Sequence, residues 1–115
     1  MKKKIAILGS TGSIGKNLID IIEKDKNSIQ IILLTAKKNH ITLLKQAKKF
    51  KVKNLIITDQ KSFKILSQKT KKLNLNIYNN FENLNKIFKS KIDYVMSSIT
   101  GIDGLKPTID IIKFT

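Results

Sequence analysis

The stretch Ile5-Ala6-Ile7-Leu8-Gly9-Ser10-Thr11-Gly12-Ser13-Ile14-Gly15 decides the fold of this 115-residue chain. A short apolar run feeds a turn with glycines at positions 9, 12 and 15, and an amphipathic helical pattern begins directly after it. Glycine makes a tight turn at little steric cost, and backbone without Cβ can come close to a ligand. A helix that starts there points its free N–H groups and the positive end of its dipole at an anion. Thr11 and Ser13 add hydroxyl donors in the same turn. The spacing Gly-x-x-Gly-x-x-Gly is a variant of the Gly-x-Gly-x-x-Gly dinucleotide fingerprint. The strand before it and the helix after it supply the context that motif requires. They favour a dinucleotide phosphate site over a glycine-rich turn that binds nothing.

The second apolar run, Ile29 to Thr35, reads Ile-Gln-Ile-Ile-Leu-Leu-Thr and suits a parallel strand buried on both faces. A site for NAD usually ends this strand in Asp or Glu, which holds the ribose 2′-hydroxyl. Here the strand runs into Ala36-Lys37-Lys38-Asn39, with no acid and two lysines. A carboxylate would repel a 2′-phosphate, whereas ammonium groups attract it. The expectation is therefore NADPH rather than NADH, set against the alternative that Lys37 and Lys38 are surface charges of a lysine-rich protein.

From these two strands the pattern continues outward as an alternation. Lys4–Leu8 reads as a strand and Ser13–Lys24 as a helix with Ile14, Leu18, Ile21 and Ile22 on one face. After the Ile29–Thr35 strand, Asn39 is an N-cap candidate for a helix through Phe50, on which Leu43, Leu44, Ala47 and Phe50 share a face. Leu55–Thr58 is a third strand, Asp59–Leu73 a helix and Ile77–Tyr78 a brief strand. Phe81–Lys89 is expected to be helical with Phe81, Leu84 and Phe88 aligned, Tyr94–Ile99 a strand, and Leu105–Phe114 a last helix. Alternation of this kind defines an α/β fold: a Rossmann-type doubly wound parallel sheet with helices on both faces. There is no internal repeat and no linker, so residues 1–115 read as one domain. The asparagine-rich stretch Asn74–Asn85 reads as a loop-bearing connection.

Composition narrows the function classes. The length supports one domain with a real core. The absence of cysteine excludes disulfides, thiolate zinc sites and a cysteine nucleophile. No apolar run is long enough to cross a bilayer. Met1-Lys2-Lys3-Lys4 before an apolar run imitates a signal peptide, but the glycines at 9, 12 and 15 interrupt that run too early, so a cytoplasmic location is expected. The net charge of +15 raises nucleic-acid binding. Against it, all 23 basic residues are lysine, they are spread along the chain, and aromatic residues make up only 6%. Arginine, the residue best suited to bidentate base and phosphate contacts, is absent. The enrichment in Ile, Asn and Lys fits an AT-rich coding sequence. The expectation is no specific nucleic-acid partner, with salt-sensitive adhesion to polyanions as a side effect.

A second candidate segment follows the Tyr94–Ile99 strand: Ser97-Ser98-Ile99-Thr100-Gly101-Ile102-Asp103-Gly104-Leu105-Lys106-Pro107-Thr108. Ligands of open α/β sheets sit beyond the carboxyl ends of the strands, where the strand order reverses. This segment is expected there, beside the Gly9–Gly15 turn, either as part of the site or as an ordinary connection. His40, the one histidine, reads as a capping or surface residue. Asp59 and Asp103 read as solvated loop carboxylates. No Ser-His-Asp, histidine-rich or carboxylate-cluster arrangement is visible, so no catalytic residue and no metal ligand is assigned.

Three segments together resemble the 1-deoxy-D-xylulose 5-phosphate reductoisomerase family. They are Ile7-Leu8-Gly9-Ser10-Thr11-Gly12-Ser13-Ile14-Gly15; Ala36-Lys37-Lys38-Asn39, similar to Ala-Gly-Lys-Asn; and Gly101-Ile102-Asp103-Gly104-Leu105-Lys106-Pro107-Thr108, similar to Gly-x-x-Gly-Leu-x-Pro-Thr. The resemblance covers the whole chain but only the N-terminal part of that enzyme. It therefore implies an NADPH-binding domain, in a chain that looks truncated, with the catalytic and C-terminal domains absent from it. By position, Thr11, Gly12, Ser13 and Ile14 are implied to meet the NADPH pyrophosphate and adjoining ribose. Lys38 and Asn39 are implied to hold the 2′-phosphate end. Lys37 stands where the family usually has glycine; it either adds a phosphate contact or crowds the turn if the backbone needs a positive φ.

The resemblance further implies a two-step reaction. The carbon skeleton of 1-deoxy-D-xylulose 5-phosphate rearranges under a divalent metal, Mg or Mn. Hydride from NADPH then gives 2-C-methyl-D-erythritol 4-phosphate for isoprenoid synthesis by the non-mevalonate pathway. The metal ligands, most contacts to the sugar phosphate substrate and most of the homodimer contacts are implied to lie beyond Thr115, which leaves the isolated segment inactive. The competing readings are another NADP-dependent Rossmann oxidoreductase domain, a basic nucleic-acid-binding module and a decayed gene product. A short-chain or semialdehyde dehydrogenase loses ground because neither a Tyr-x-x-x-Lys pair nor a nucleophilic cysteine is present.

Overall fold

The computed structural model describes residues 2–25, 27–99, 107, 111, 114 and 115. The elements run β1 (Lys3–Leu8), α1 (Ser13–Glu23), β2 (Ile29–Ala36), α2 (His40–Phe50), β3 (Asn54–Ile57), α3 (Gln60–Lys69), β4 (Asn76–Tyr78), α4 (Leu84–Ile87) and β5 (Tyr94–Ser97). Among the described residues the five strands form one sheet in the order β4-β3-β2-β1-β5, and every neighbouring pair is parallel.

The three inner strands, β1, β2 and β3, carry near-continuous apolar runs because both of their faces are covered. Successive side chains alternate between faces. Ile5 and Ile7 of β1, Leu34 and Ala36 of β2, and Leu55 and Ile57 of β3 turn to one side, where they meet Ile19 and Ile22 of α1, Leu43 and Ala47 of α2 and Leu66 of α3. Ala6, Leu8, Leu33 and Ile56 turn to the other, against Leu84 and Ile87 of α4, Phe88, Ile92 and Ile111. The rings of Phe88 and Phe114 lie 5.1 Å apart on that side. The β1–β2 register slips between Ile5 and Ala6, which pair with Ile31 and Leu33. The extra residue, Ile32, is a bulge that turns both Ile32 and Leu33 to the second face. The expected doubly wound sheet is thus the observed one.

Several boundaries differ from the sequence pattern for identifiable reasons. On α1 the core face is Gly15, Ile19 and Ile22, with Leu18 packed at its edge. Ile14 and Ile21, expected to be buried, are 56% and 64% exposed. The buried stripe follows Gly15, which packs directly on the backbone of Gly9 and Ser10 in the turn after β1. Helix α3 ends at Lys69 with Thr70 as its C-cap, not at Leu73: the Thr70 hydroxyl shares the Leu66 carbonyl with its own amide, and the Leu73 amide turns back to the Thr70 carbonyl. Helix α4 is one turn rather than Phe81–Lys89: the Asn80 side chain accepts from the Glu82 amide and holds that approach as a turn. Phe81, Leu84 and Phe88 nonetheless pack in the same cluster. Of the expected last helix, Pro107 and Ile111 are helical; its other residues, apart from a turn at Phe114, lie outside the described residues.

Candidate functional site

The chain steps from β1 to β2, β3 and β4 in one direction, then returns to place β5 on the other edge of β1. That reversal is the switch point at which open α/β sheets hold ligands, beyond the carboxyl ends of the strands. A cleft of about 650 Å³ lies there. Gly9, Thr11 and Gly12 form one wall, Ala36, Lys37 and Thr58 another, and Ser98, Ile99 and Pro107 close the β5 side.

The glycine turn is held tightly. Gly9 has φ +74°, a conformation that L side chains rarely adopt. Its amide donates to Thr35 Oγ1 at 2.9 Å, and its carbonyl accepts from Ser98 Oγ at 2.6 Å. A Cβ on Gly15 would stand 2.6 Å from Ser10 Cα, so only glycine lets α1 leave the turn along this path. At Gly12, by contrast, a Cβ would meet nothing closer than the Gly9 carbonyl at 3.8 Å. Gly12 is the N-cap of α1 and offers no side-chain acceptor, and no acidic residue stands in the first turn. The leading N–H groups of α1 therefore open onto the cleft rim without a capping side chain.

The other two long helices start differently. Asn39 caps α2, its Oδ1 accepting from the Thr42 amide at 3.1 Å. Asp59 caps α3, accepting from the Ser62 amide at 3.0 Å and the Ser62 hydroxyl at 2.8 Å. The expected role for Asn39 as an N-cap is thus observed. Asp59, expected to be a solvated loop carboxylate, is a helix cap. The Ser62 hydrogen bonds hold its pKa below the ordinary aspartate value, with a further lowering from the nearby Lys38 and Lys37 charges.

Of the seven residues expected to touch cofactor, Thr11, Gly12 and Lys37 line the cleft. Ser13 and Ile14 open α1 beside it and are exposed; Lys38 and Asn39 follow Lys37, also exposed. Lys37 does not crowd its turn: Lys51 alone has a positive φ among the described non-glycine residues. The Lys37 carbonyl accepts from the Asp59 amide at 2.9 Å, which ties the loop after β2 to the end of β3. The expected neighbourhood of the second segment is also met, since Ser98, Ile99 and Pro107 face the glycine turn; Thr100 through Lys106, Asp103 included, and Thr108 lie outside the described residues. His40 is neither cap nor surface residue. It is half-buried in the first turn of α2, and its buried Nδ1 finds no partner among the described residues.

Two further residues belong to the site, and no motif marks them. Thr35 and Gln46 are buried and hold the backbone of Gly9 and Ser10. The available signal was the position of Gln46, a polar residue at i+3 in the α2 stripe Leu43, Ala47, Phe50. Among the described residues no three His, Asp or Glu side chains come together as a metal site, and no helix is long and apolar enough to cross a membrane.

The sheet order, the glycine turn and the cleft define an α/β domain of the Rossmann type with a cleft at the switch point. The profile of 1-deoxy-D-xylulose 5-phosphate reductoisomerase matches residues 5–115. The chain belongs to that family. It is 56% identical over 115 residues to the 1-deoxy-D-xylulose 5-phosphate reductoisomerase of Pelagibacter ubique (strain HTCC1062), covering 98% of this chain and 30% of that one. Among solved structures, the reductoisomerase from Zymomonas mobilis in complex with NADPH superposes with a TM-score of 0.86 at 29% identity, over 98% of this chain and 30% of that chain. A DOX-P reductoisomerase in complex with magnesium gives 0.81 at 31% identity, over 96% and 28%. The chain thus spans about 30% of the length of the curated relatives it matches.

Proposed function

We propose that this chain is the NADPH-binding segment of an enzyme that converts 1-deoxy-D-xylulose 5-phosphate to 2-C-methyl-D-erythritol 4-phosphate, in isoprenoid precursor synthesis. The observation that carries it is the open start of α1: Gly12 leaves its N–H groups uncapped on a cleft whose opposite wall carries Lys37. A pyrophosphate fits such a helix start, and the cleft volume lies within the range of small-molecule sites. Thr11, Gly12, Ser13 and Ile14 form the pyrophosphate and ribose end. Ile14 is exposed where a ligand could cover it. Lys37, Lys38 and Asn39 form the 2′-phosphate end, with the Asn39 amide nitrogen left over after its oxygen caps α2.

NADPH, when bound, supplies hydride. The chain's own residues bind and orient it and set its electrostatic surroundings. The divalent metal, Mg or Mn, takes its ligands from outside these residues, as do most contacts to the sugar phosphate, so the segment alone turns nothing over. The complete enzyme is read as a cytoplasmic homodimer with no specific nucleic-acid partner. The basic composition without arginine supports the last point.

Calorimetric titration of the 115-residue chain with NADPH and, separately, NADH tests the reading. Preference for NADPH at moderate salt supports it. A folded chain that binds neither, or both equally, contradicts it.

A further inference from the structure

Ser10 and Gln46 are 0% and 7% exposed, and their side chains meet each other and backbone rather than water. Ser10 Oγ donates to Gln46 Oε1 at 2.7 Å, and Gln46 Nε2 donates to the Ser10 carbonyl at 2.9 Å. The amide orientation is fixed by chemistry, since a carbonyl oxygen can only accept. From the other side, the Ser10 amide donates to the Thr35 carbonyl at 2.9 Å, and the Gly9 amide to Thr35 Oγ1. The glycine turn is therefore gripped between the end of β2 and the middle of α2. The same two elements flank Lys37 and Lys38: β2 ends at Ala36, and α2 starts at His40 after its Asn39 cap.

We infer that Gln46 is a positioning residue that fixes the glycine turn relative to the Lys37–Asn39 loop, so that one ligand can engage both phosphate subsites. The inference rests on the cofactor reading above. A ligand spanning two subsites gains from their fixed separation, and that gain is lost when either subsite drifts. A ligand that fills one subsite is indifferent to the separation. This distinguishes positioning from plain stabilisation, which acts on all ligands alike through the folded fraction.

The charged groups around the Gln46 side of α2 are Lys16 and Asp20 of α1 and Lys45 and Lys49 of α2. The replacement must not disturb them, so Gln46→Leu removes both hydrogen bonds without adding charge. Gln46→Met is a second uncharged variant of near-equal size that likewise removes both hydrogen bonds. Each is titrated with NADP⁺, which reaches both subsites, and with 2′-AMP, which reaches only the lysine loop. Circular dichroism reports the folded fraction.

The expected result is a loss of roughly tenfold or more in NADP⁺ affinity, as for a lost buried hydrogen-bond partner, with 2′-AMP affinity unchanged, in whichever variant folds. Equal losses for the two ligands, or no loss of NADP⁺ affinity, overturns the positioning role. Absence of NADP⁺ binding by the unsubstituted chain overturns the cofactor reading itself, and this inference with it.

Discussion

Helices α1 and α3 both start just beyond the carboxyl end of a strand, yet they handle their first turns in opposite ways. Helix α3 closes its start with its own carboxylate, Asp59, bonded to the amide and hydroxyl of Ser62. Helix α1 starts at Gly12 with no side-chain cap and no acid in its first turn. An uncapped start costs a helix a few tenths to about 2 kcal/mol relative to a good cap. Of the three long helices among the described residues, α1 alone bears that cost, and its start lies at the cleft; the single-turn α4 also begins without a side-chain cap. On the proposed reading the phosphate site lies in what α1 leaves unsatisfied, while the cap of α3 is structural and sets its charge beside Lys37 and Lys38.

The largest effect is expected at the residue that lets α1 leave its turn. Gly15→Val would drive side-chain carbon into the Ser10 backbone. It should destabilise the fold by roughly 1–3 kcal/mol or more, seen as a fall of several degrees in a thermal melt. An unchanged melt would mean that the turn and α1 are not packed as described. Next comes the lysine loop. Lys38→Glu should weaken NADPH by roughly 1–3 kcal/mol and NADH far less. Equal losses would remove the 2′-phosphate from that loop.

Smaller effects separate capped helices from the open one. Asn39→Ala removes the side chain that caps the start of α2 and should cost about 1 kcal/mol in chemical denaturation. At Asp59 the sign follows from its lowered pKa. The ionised carboxylate contributes stability above the ordinary aspartate range near 3.8, and that contribution is lost as pH falls through the lower folded value. Asp59→Asn keeps a cap without that charge, so melts of the variant should fall less steeply in acid than those of the parent. The same variant should bind NADPH somewhat more tightly at low salt, because the lysines lose a competing negative charge. Parallel acid melts for the two proteins would show that the cap does not titrate as described.

Much of this fold was legible because its signals are local. The apolar runs of β1 and β2 and the glycines between them set the parallel sheet and the turn, and Asn39 marked its helix by its own side chain. The misreadings come where a tertiary contact decides. Apolar spacing placed Ile14 and Ile21 in the core, but the face of α1 is chosen by Gly15, and the i+4 and i+7 positions from it are Ile19 and Ile22. The end of α3 falls at Thr70, where the Leu73 amide turns back to the Thr70 carbonyl. Gln46 looked like one more polar helical residue, and only its place in an apolar stripe hinted that it reaches the glycine turn.

Gly12→Asp tests the open start of α1 most directly. The position has extended backbone, φ −75° and ψ 175°, and room for a side chain, so it can receive the kind of cap that α3 already has. The expected result is a melting temperature equal to or slightly above the parent's, together with at least a tenfold loss of NADPH affinity. A folded Gly12→Asp chain that binds NADPH as well as the parent would contradict the claim that the uncapped start of α1 holds the cofactor's phosphates.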